Sequence, residues 1–376
     1  MKYILAIDSF KGCLSSAEAE AALAGGLERE GTDVVCLPMS DGGEGMLHTF
    51  TSALGGTLEP VCVHDQMMRR VDAQYGMAPD GTAIIEVAQV CGLTLVKEDE
   101  RNPMRSTTYG VGELLSRAVK RGCRNFVIGL GGTGTSDAGI GMIRALVDIF
   151  ARGRNFDEAL KTELGECRFT LASDVDNPLC GKNGAARVFA PQKGATPEMV
   201  EQLDRRARLF AEKSARHFGF DKSDEPGAGA AGGLGYAFMQ YLGADMKSGA
   251  DILLDIIDFD EKIQDADLVI TGEGCADRQT LMGKLPQRVL VRGKRSGIPV
   301  GLVSGSVYDK EELLSAGFAF VESITPYRMP LEEAMKKDVA AAHLRRCAAF
   351  CQAMPSSSIS KMSVEPPGIP GCENLP

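Results

Sequence analysis

Three lysines sit next to glycine in loop-like sequence: Lys11 in DSFKG, Lys193 in PQKG and Lys284 in GK. Acids occupy comparable settings. Asp41 and Glu44 flank a Gly-Gly turn, Glu273 and Asp277 flank Gly274, and Asp174 and Asp176 lead into Asn177-Pro178. Lysines of this kind neutralise phosphate oxygens, and short carboxylates hold Mg²⁺ on a nucleotide with water completing the shell. The four histidines, His48, His64, His217 and His343, lie in unremarkable helix or strand contexts. The chemistry implied is that of a polyanion and a metal, without imidazole proton shuttles. Each acid taken singly is equally suited to capping a turn or a helix start, and a solvated surface position is the default for each lysine.

The elements that would position these groups favour a site. Six apolar, strand-like runs end abruptly in glycines mixed with Asp, Glu or Lys: YILAI, VVCLPMS, FVIGL, FTLAS, LVIT and VGLV. In an open parallel sheet, ligands bind beyond the carboxyl ends of the strands. All of these groups are therefore expected on one sheet edge. The N-terminal stretch alternates strand (Tyr3 to Ile7), helix (Ser15 or Ser16 as N-cap), strand (Val34 to Met39) and helix, which argues for parallel strands with right-handed crossovers. Thr57 to Val63, Val71 to Gly76 and Thr82 to Val87 lack intervening helices and read as antiparallel. Helices are expected near 110–121, 136–151, 197–218 and from the GAGAAGGLG run to about Gly243. The βα alternation resumes after Asp267.

These patterns give an α/β protein: a Rossmann-like parallel-sheet domain with an inserted second α/β domain. The expected division is 1–60 with 265–354 for the first, 61–264 for the second, and 355–376 as a Pro/Ser-rich disordered tail. The length of 376 residues agrees with two domains. A net charge of −10 argues against nucleic acid. Eleven cysteines without a C-x-x-C read as free thiols in a reducing cytoplasm. The first apolar run meets Asp8 too soon for a signal peptide, and no run approaches the roughly 20 residues needed to span a bilayer.

No G-x-x-x-x-G-K-[ST] is present, so the chain is not a P-loop NTPase of the usual kind. Two segments match G-x-G-x-x-G: Gly129/Gly131/Gly134 and Gly227/Gly229/Gly232. The first follows a strand and precedes a helix, with Asp148 at the distance expected of a ribose-binding acid. Asp148 falls inside a helical pattern, however. The match thus supports phosphate binding at a helix start more than NAD.

In order, the motifs run DSFKGCLS, PMSDGGEG, RNPMRSTTYGVGELL, GLGGTGTSDAGIGM, ASDVDNPLCGKNGAARVFAPQKGAT, GAGAAGGLG and TGEGCADRQTLMGKLP. Over about residues 2–350 the chain resembles the bacterial type I glycerate kinases. The resemblance implies phosphorylation of D-glycerate by ATP and Mg²⁺, typically to 2-phosphoglycerate, in glycerate, glucarate and glyoxylate catabolism. It also implies a Rossmann-like domain with an inserted domain and an active site in the cleft.

Onto the motif positions we place Asp174 as the base, with Lys11 and Lys193 neutralising phosphate. Gly131, Gly132, Thr133, Gly229, Gly232 and Lys284 are expected on the nucleotide, and Asp8, Ser9, Asp41, Thr107 and Thr108 on glycerate. Glu273, Asp277, Asp41 and Glu44 are expected on the metal. A monomer or homodimer is expected. Cys275 stands where the resemblance leads one to expect Arg, and Cys13 replaces a Ser. Two other classes remain open: a non-catalytic small-anion sensor, motivated by Cys275, and an NAD-dependent dehydrogenase, motivated by the glycine motifs.

Overall fold

A computed structural model describes residues 1–353 except Asp41 and Glu44. The expectation for the tail from residue 355 lies outside the described residues. Eleven strands occur among them: β1 (Lys2–Ile7), β2 (Asp33–Cys36), β3 (Thr57–His64), β4 (Arg70–Met77), β5 (Thr82–Glu86), β6 (Asn125–Gly129), β7 (Arg168–Ala172), β8 (Asp245–Lys247), β9 (Leu268–Ala276), β10 (Val300–Val307) and β11 (Phe320–Ser323). They form two sheets, so the single sheet edge expected from the sequence is corrected to two. Runs ending at Asp8, Ser40, Gly272 and Ser304 feed the first sheet, and those ending at Leu130 and Ser173 feed the second.

The first unit comprises Met1–Met39 and the chain from Phe259. Its sheet has the order β11-β10-β9-β1-β2, and every pair is parallel. Tyr3, Ile4, Leu5, Ala6 and Ile7 are all buried, as two-sided coverage by helices requires. The helix Ser16–Leu27 begins at Ser15, whose hydroxyl accepts from Glu18 N–H while the Glu18 carboxylate accepts from Ser15 N–H. It packs against the helix Lys337–Ala353.

The second unit is Ser40–Asp258. Its sheet runs β3-β4-β5-β6-β7-β8, with β3/β4 and β4/β5 antiparallel and the other three pairs parallel. The division falls at Met39/Ser40, earlier than the expected residue 60, because the helix Met46–Ala53 packs against β3, β4 and β5. Its Leu47 N–H donates to Glu86 at the end of β5, 3.1 Å away. β2 stops at Cys36, short of the expected Met39, since Pro38 has no N–H to extend the ladder. The three-residue strand β8, Asp-Met-Lys, shows no apolar alternation and is absent from the sequence reading.

Candidate active site

In the first unit the carboxyl ends of β1 and β9 lie side by side. Asp8 N–H donates to Gly272 O at 2.9 Å, and Asp8 is buried. Its carboxylate accepts from Ser9 N–H at 2.7 Å, which fixes the start of the Asp8-Ser9-Phe10-Lys11 turn. A Cβ on Gly274 would stand 3.6 Å from Lys11 N, so the β9 loop runs along that turn. Lys11 is exposed.

Glu273 is the buried charge of this edge. One carboxylate oxygen accepts from Thr280 Oγ1 at 2.6 Å, and the other faces Lys284 Nζ at 3.4 Å. Burial pushes its pKa above the ordinary carboxylate value, and Asp277 adds to the rise, while Thr280 and Lys284 oppose it. Beneath it, buried Ser304 on β10 donates to Glu273 O at 2.8 Å. Lys284 is the residue preceding the helix Leu285–Ser296.

Asp277 does different work. Its carboxylate accepts from Gln279 N–H at 2.7 Å, and its own N–H donates to Thr280 Oγ1 at 3.0 Å, capping a short turn. Thr280 and Ser304 escaped the sequence reading. The Asp-x-x-Thr spacing of a capping box was the available signal for Thr280. Cys275, in place of the expected Arg, is exposed.

In the second unit the glycine-rich loop after β6 is built by close approach. A Cβ on Gly131 would fall 2.9 Å from the Cα of Gly43, so the Gly42-Gly43 turn lies against it. Gly132 adopts φ +72° and is exposed. Lys193 is 3% exposed and donates through Nζ to Thr135 O at 2.6 Å, with Thr133 Oγ1 at 3.4 Å. Burial lowers its pKa to about 8, against the raising influence of Cys91 and Asp137.

Asp137, which the sequence reading passed over, organises the loop's far side. It accepts from Thr108 N–H at 2.8 Å, Thr108 Oγ1 at 3.0 Å, and Gly139 and Gly141 N–H at 3.1 Å each. The start of the helix Ile140–Phe150 is therefore capped by a carboxylate of the chain itself. Asp148 accepts from the Tyr109 hydroxyl at 3.2 Å, which leaves the dinucleotide pattern without its ribose acid. Thr107 Oγ1 accepts from Tyr109 N–H, and Thr108 is fully buried.

The second glycine segment is accounted for by packing. Gly229 N–H donates to Asn177 O at 2.8 Å, and a Cβ there would meet Pro178 O at 2.4 Å. Gly232 has φ +68°, with Thr135 O 2.1 Å from where a Cβ would sit. Ala231, Gly232 and Gly233 are all left-handed, so the run opens on a tight turn before regular helix. Asp174 is exposed at the carboxyl end of β7.

The site residues called from sequence thus divide between the units. Asp8, Ser9, Lys11, Glu273, Asp277 and Lys284 belong to the first. Thr107, Thr108, Gly131, Gly132, Thr133, Asp174, Lys193, Gly229 and Gly232 belong to the second. Asp41 and Glu44 lie outside the described residues. Among the described residues no cluster of three or more His, Cys, Asp or Glu could hold a metal, and no helix is long and apolar enough to cross a membrane.

Lysines, hydroxyls and carboxylates at parallel strand ends, with glycine-rich backbone beside them, are the parts of a phosphoryl-transfer site. Comparison with known proteins specifies the class. A model of the glycerate kinase family matches residues 3–354. The chain is 40% identical to a glycerate kinase of Bacillus subtilis (strain 168), over 93% of this chain and 96% of that one. It is 38% identical to a glycerate 2-kinase of Escherichia coli K12, over 82% and 86%. A crystal structure of a protein assigned as glycerate kinase 2 from Salmonella typhimurium LT2 superposes with a TM-score of 0.78 at 37% identity, covering 94% of this chain and 98% of that one. The chain belongs to the glycerate kinase family and is a phosphotransferase.

Proposed function

We propose that this kinase transfers the γ-phosphoryl group of Mg²⁺-bound ATP to D-glycerate, giving 2-phosphoglycerate, in cytoplasmic breakdown of glycerate, glucarate and glyoxylate. The observation that carries this reading is the cluster at the carboxyl ends of β1 and β9. There a buried acid, Glu273, faces Lys284 and lies near the turn bearing Asp8 and Lys11. The choice of the 2-hydroxyl follows the name of the Escherichia coli relative.

The residues fit a metal carried on a nucleotide. Glu273 is one buried carboxylate whose ionised form burial disfavours, and a cation is the counter-charge that would restore it. Mg²⁺ on nucleotide phosphates needs only one or two carboxylates; Glu273 would hold it, and it would supply charge neutralisation for the transferred phosphoryl group. Asp277, engaged as a cap, is less suited to ligation than Glu273. Lys11 and Lys284 neutralise charge that grows on the transferred group. Asp8 and Ser9 orient the acceptor. Lys193, sealed beneath the glycine-rich loop, holds Thr133 and Thr135 and shapes the backbone that Gly131 and Gly132 present. Asp174, exposed at a strand end, accepts the proton of the attacking hydroxyl.

Incubation with D-glycerate, ATP and Mg²⁺, followed by phosphorus NMR, tests the reading. Equimolar ADP and 2-phosphoglycerate are expected. 3-Phosphoglycerate would overturn the regiochemistry, and ligand-dependent thermal stabilisation without ADP would point to the sensor reading. Retained turnover with a wild-type pH profile in Asp174→Asn would remove Asp174 as base.

A further inference from the structure

The sheet of the second unit carries a second concentration of cationic side chains. Between β3, β4 and the C-terminal end of the helix Tyr109–Lys120 lies a cavity of about 420 Å³, within the usual range for small-ligand sites. Arg70, Arg117, Lys120 and Arg121 line it, against one acid, Glu59. Glu59 pairs with Arg121 at 3.5 Å, and Lys120 stands over the Phe150 ring. The side chains of Arg70 and Arg117 have no ion-pair or hydrogen-bond partner among the described residues.

Basic residues in a last helical turn commonly answer the helix dipole, which would account for Arg117 and Lys120. It does not account for Arg70, which comes from β4. Nor does it account for Tyr75. Tyr75 is 1% exposed, yet it lines the cavity. Its hydroxyl has no hydrogen-bond partner among the described residues and is not among the sealed, orphaned polar atoms. Burial raises its pKa, with Cys123 and Glu59 adding to the rise and Arg121 opposing it, so it is an intact O–H donor. The ring is buried while the hydroxyl reaches the cavity, where it can donate to a bound acceptor.

We propose that this cavity is a binding site for a small polyanion, held by Arg70, Arg117, Lys120 and Arg121 and by a hydrogen bond from the Tyr75 hydroxyl. Guanidinium groups accept phosphate or carboxylate oxygens in a bidentate manner, and four of these cations on a chain of net charge −10 make a local positive field. Phosphate esters and polycarboxylates share that chemistry. The helix Tyr109–Lys120 links the cavity to Thr108 and Asp137 at its other end, roughly 18 Å away at 1.5 Å per residue.

Isothermal titration of the whole protein, its nucleotide site filled with ADP, tests this with two probes, inorganic pyrophosphate and citrate. At least one is expected to bind. Its affinity should fall at least tenfold in Arg70→Ala/Arg117→Ala, and about tenfold in Tyr75→Phe, the scale of one lost hydrogen bond to a charged group. Turnover of glycerate in the absence of probe should be unchanged in both variants. Binding of pyrophosphate alone assigns the site to phosphate esters, and of citrate alone to polycarboxylates. Should the double variant fold poorly, Tyr75→Phe removes a single oxygen and decides the matter alone. No binding by either probe, or affinities that the substitutions leave unmoved, would overturn the proposal.

Discussion

Glu273 and Asp137 belong to the loop ends of parallel strands in different units, and both lie beside glycine-rich backbone. Asp137 is satisfied by backbone and side-chain donors of its own loop and helix. Glu273 accepts from Thr280 and faces Lys284, and is otherwise buried. An acid with all its donors supplied by the fold maintains a shape. An acid buried with few partners keeps a chemical valence open for something else. Lys193 is sealed against Thr135 O, and Lys11 is exposed. Asp137 and Lys193 are thus engaged with the backbone of their own unit, whereas Glu273 meets a hydroxyl and a lysine side chain.

The largest expected effect tests the backbone of the second unit. Gly232→Ala would put a methyl 2.1 Å from Thr135 O at a residue with φ +68°. Neither backbone segment has a flexible end to withdraw, so a loss of about 4 kcal/mol is expected. Gly12→Ala, at φ +75°, meets only the mobile end of Met335 at 3.2 Å and should cost about 1 kcal/mol. Urea denaturation measures both. Equal losses would mean that the two loops are not built differently.

Next comes Lys11→Ala, expected to lower kcat by roughly 10²-fold, the scale of one transition-state charge contact. Its melting temperature should barely move, because the side chain is exposed. Unchanged steady-state kinetics in the folded variant would remove Lys11 from the reaction.

Lys193 gives a pH signature. In the folded chain it releases its proton near pH 8, against 10.5 for an unperturbed lysine, because burial disfavours the charge. Between those values the unfolded chain binds more protons, so this residue's contribution to stability rises with pH across that window. Below pH 8 both states are protonated and the contribution is flat. The rise should be on the order of 2 kcal/mol, reduced from the full linkage value by the higher effective dielectric of real interiors. Comparing wild type with Lys193→Met by urea denaturation at several pH values isolates it from its neighbours Cys91 and Asp137. An identical pH slope in both proteins would show that the ammonium is not held as described.

The alternation of buried strands with helices was plain in the sequence because parallel strands covered on both faces read as continuous apolar runs, as in Tyr3 to Ile7. The division into two sheets was hidden. Each strand end looks alike locally, and nothing in FVIGL distinguishes its partners from those of LVIT. Asp137 was invisible for a related reason. TSDAG reads as one more acid in a glycine loop, and only the fold shows that Thr108 and the helix start converge on it. The glycines of the 227–235 run were legible as a G-x-G-x-x-G match, but sequence could not say whether the group they approach was a phosphate or, as at Gly229, the carbonyl of Pro178.

The smallest expected effect is the most discriminating for the reactive edge. Asp277 can be a cap or a metal ligand, and its carboxylate already accepts from Gln279 N–H. If capping is its work, Asp277→Ala should cost about 1 kcal/mol of stability. The Mg²⁺ concentration that gives half-maximal activity should then stay within about twofold of wild type. Glu273→Gln should do the reverse, because it keeps the shape and the Thr280 contact while withdrawing the charge on which a divalent cation depends. Its Mg²⁺ requirement should rise about tenfold or more, while the loss of stability stays small because the amide relieves a buried charge. A raised requirement in Asp277→Ala and none in Glu273→Gln would exchange the two roles, and with them the basis for treating buried, sparsely partnered acids as the reactive ones in this molecule.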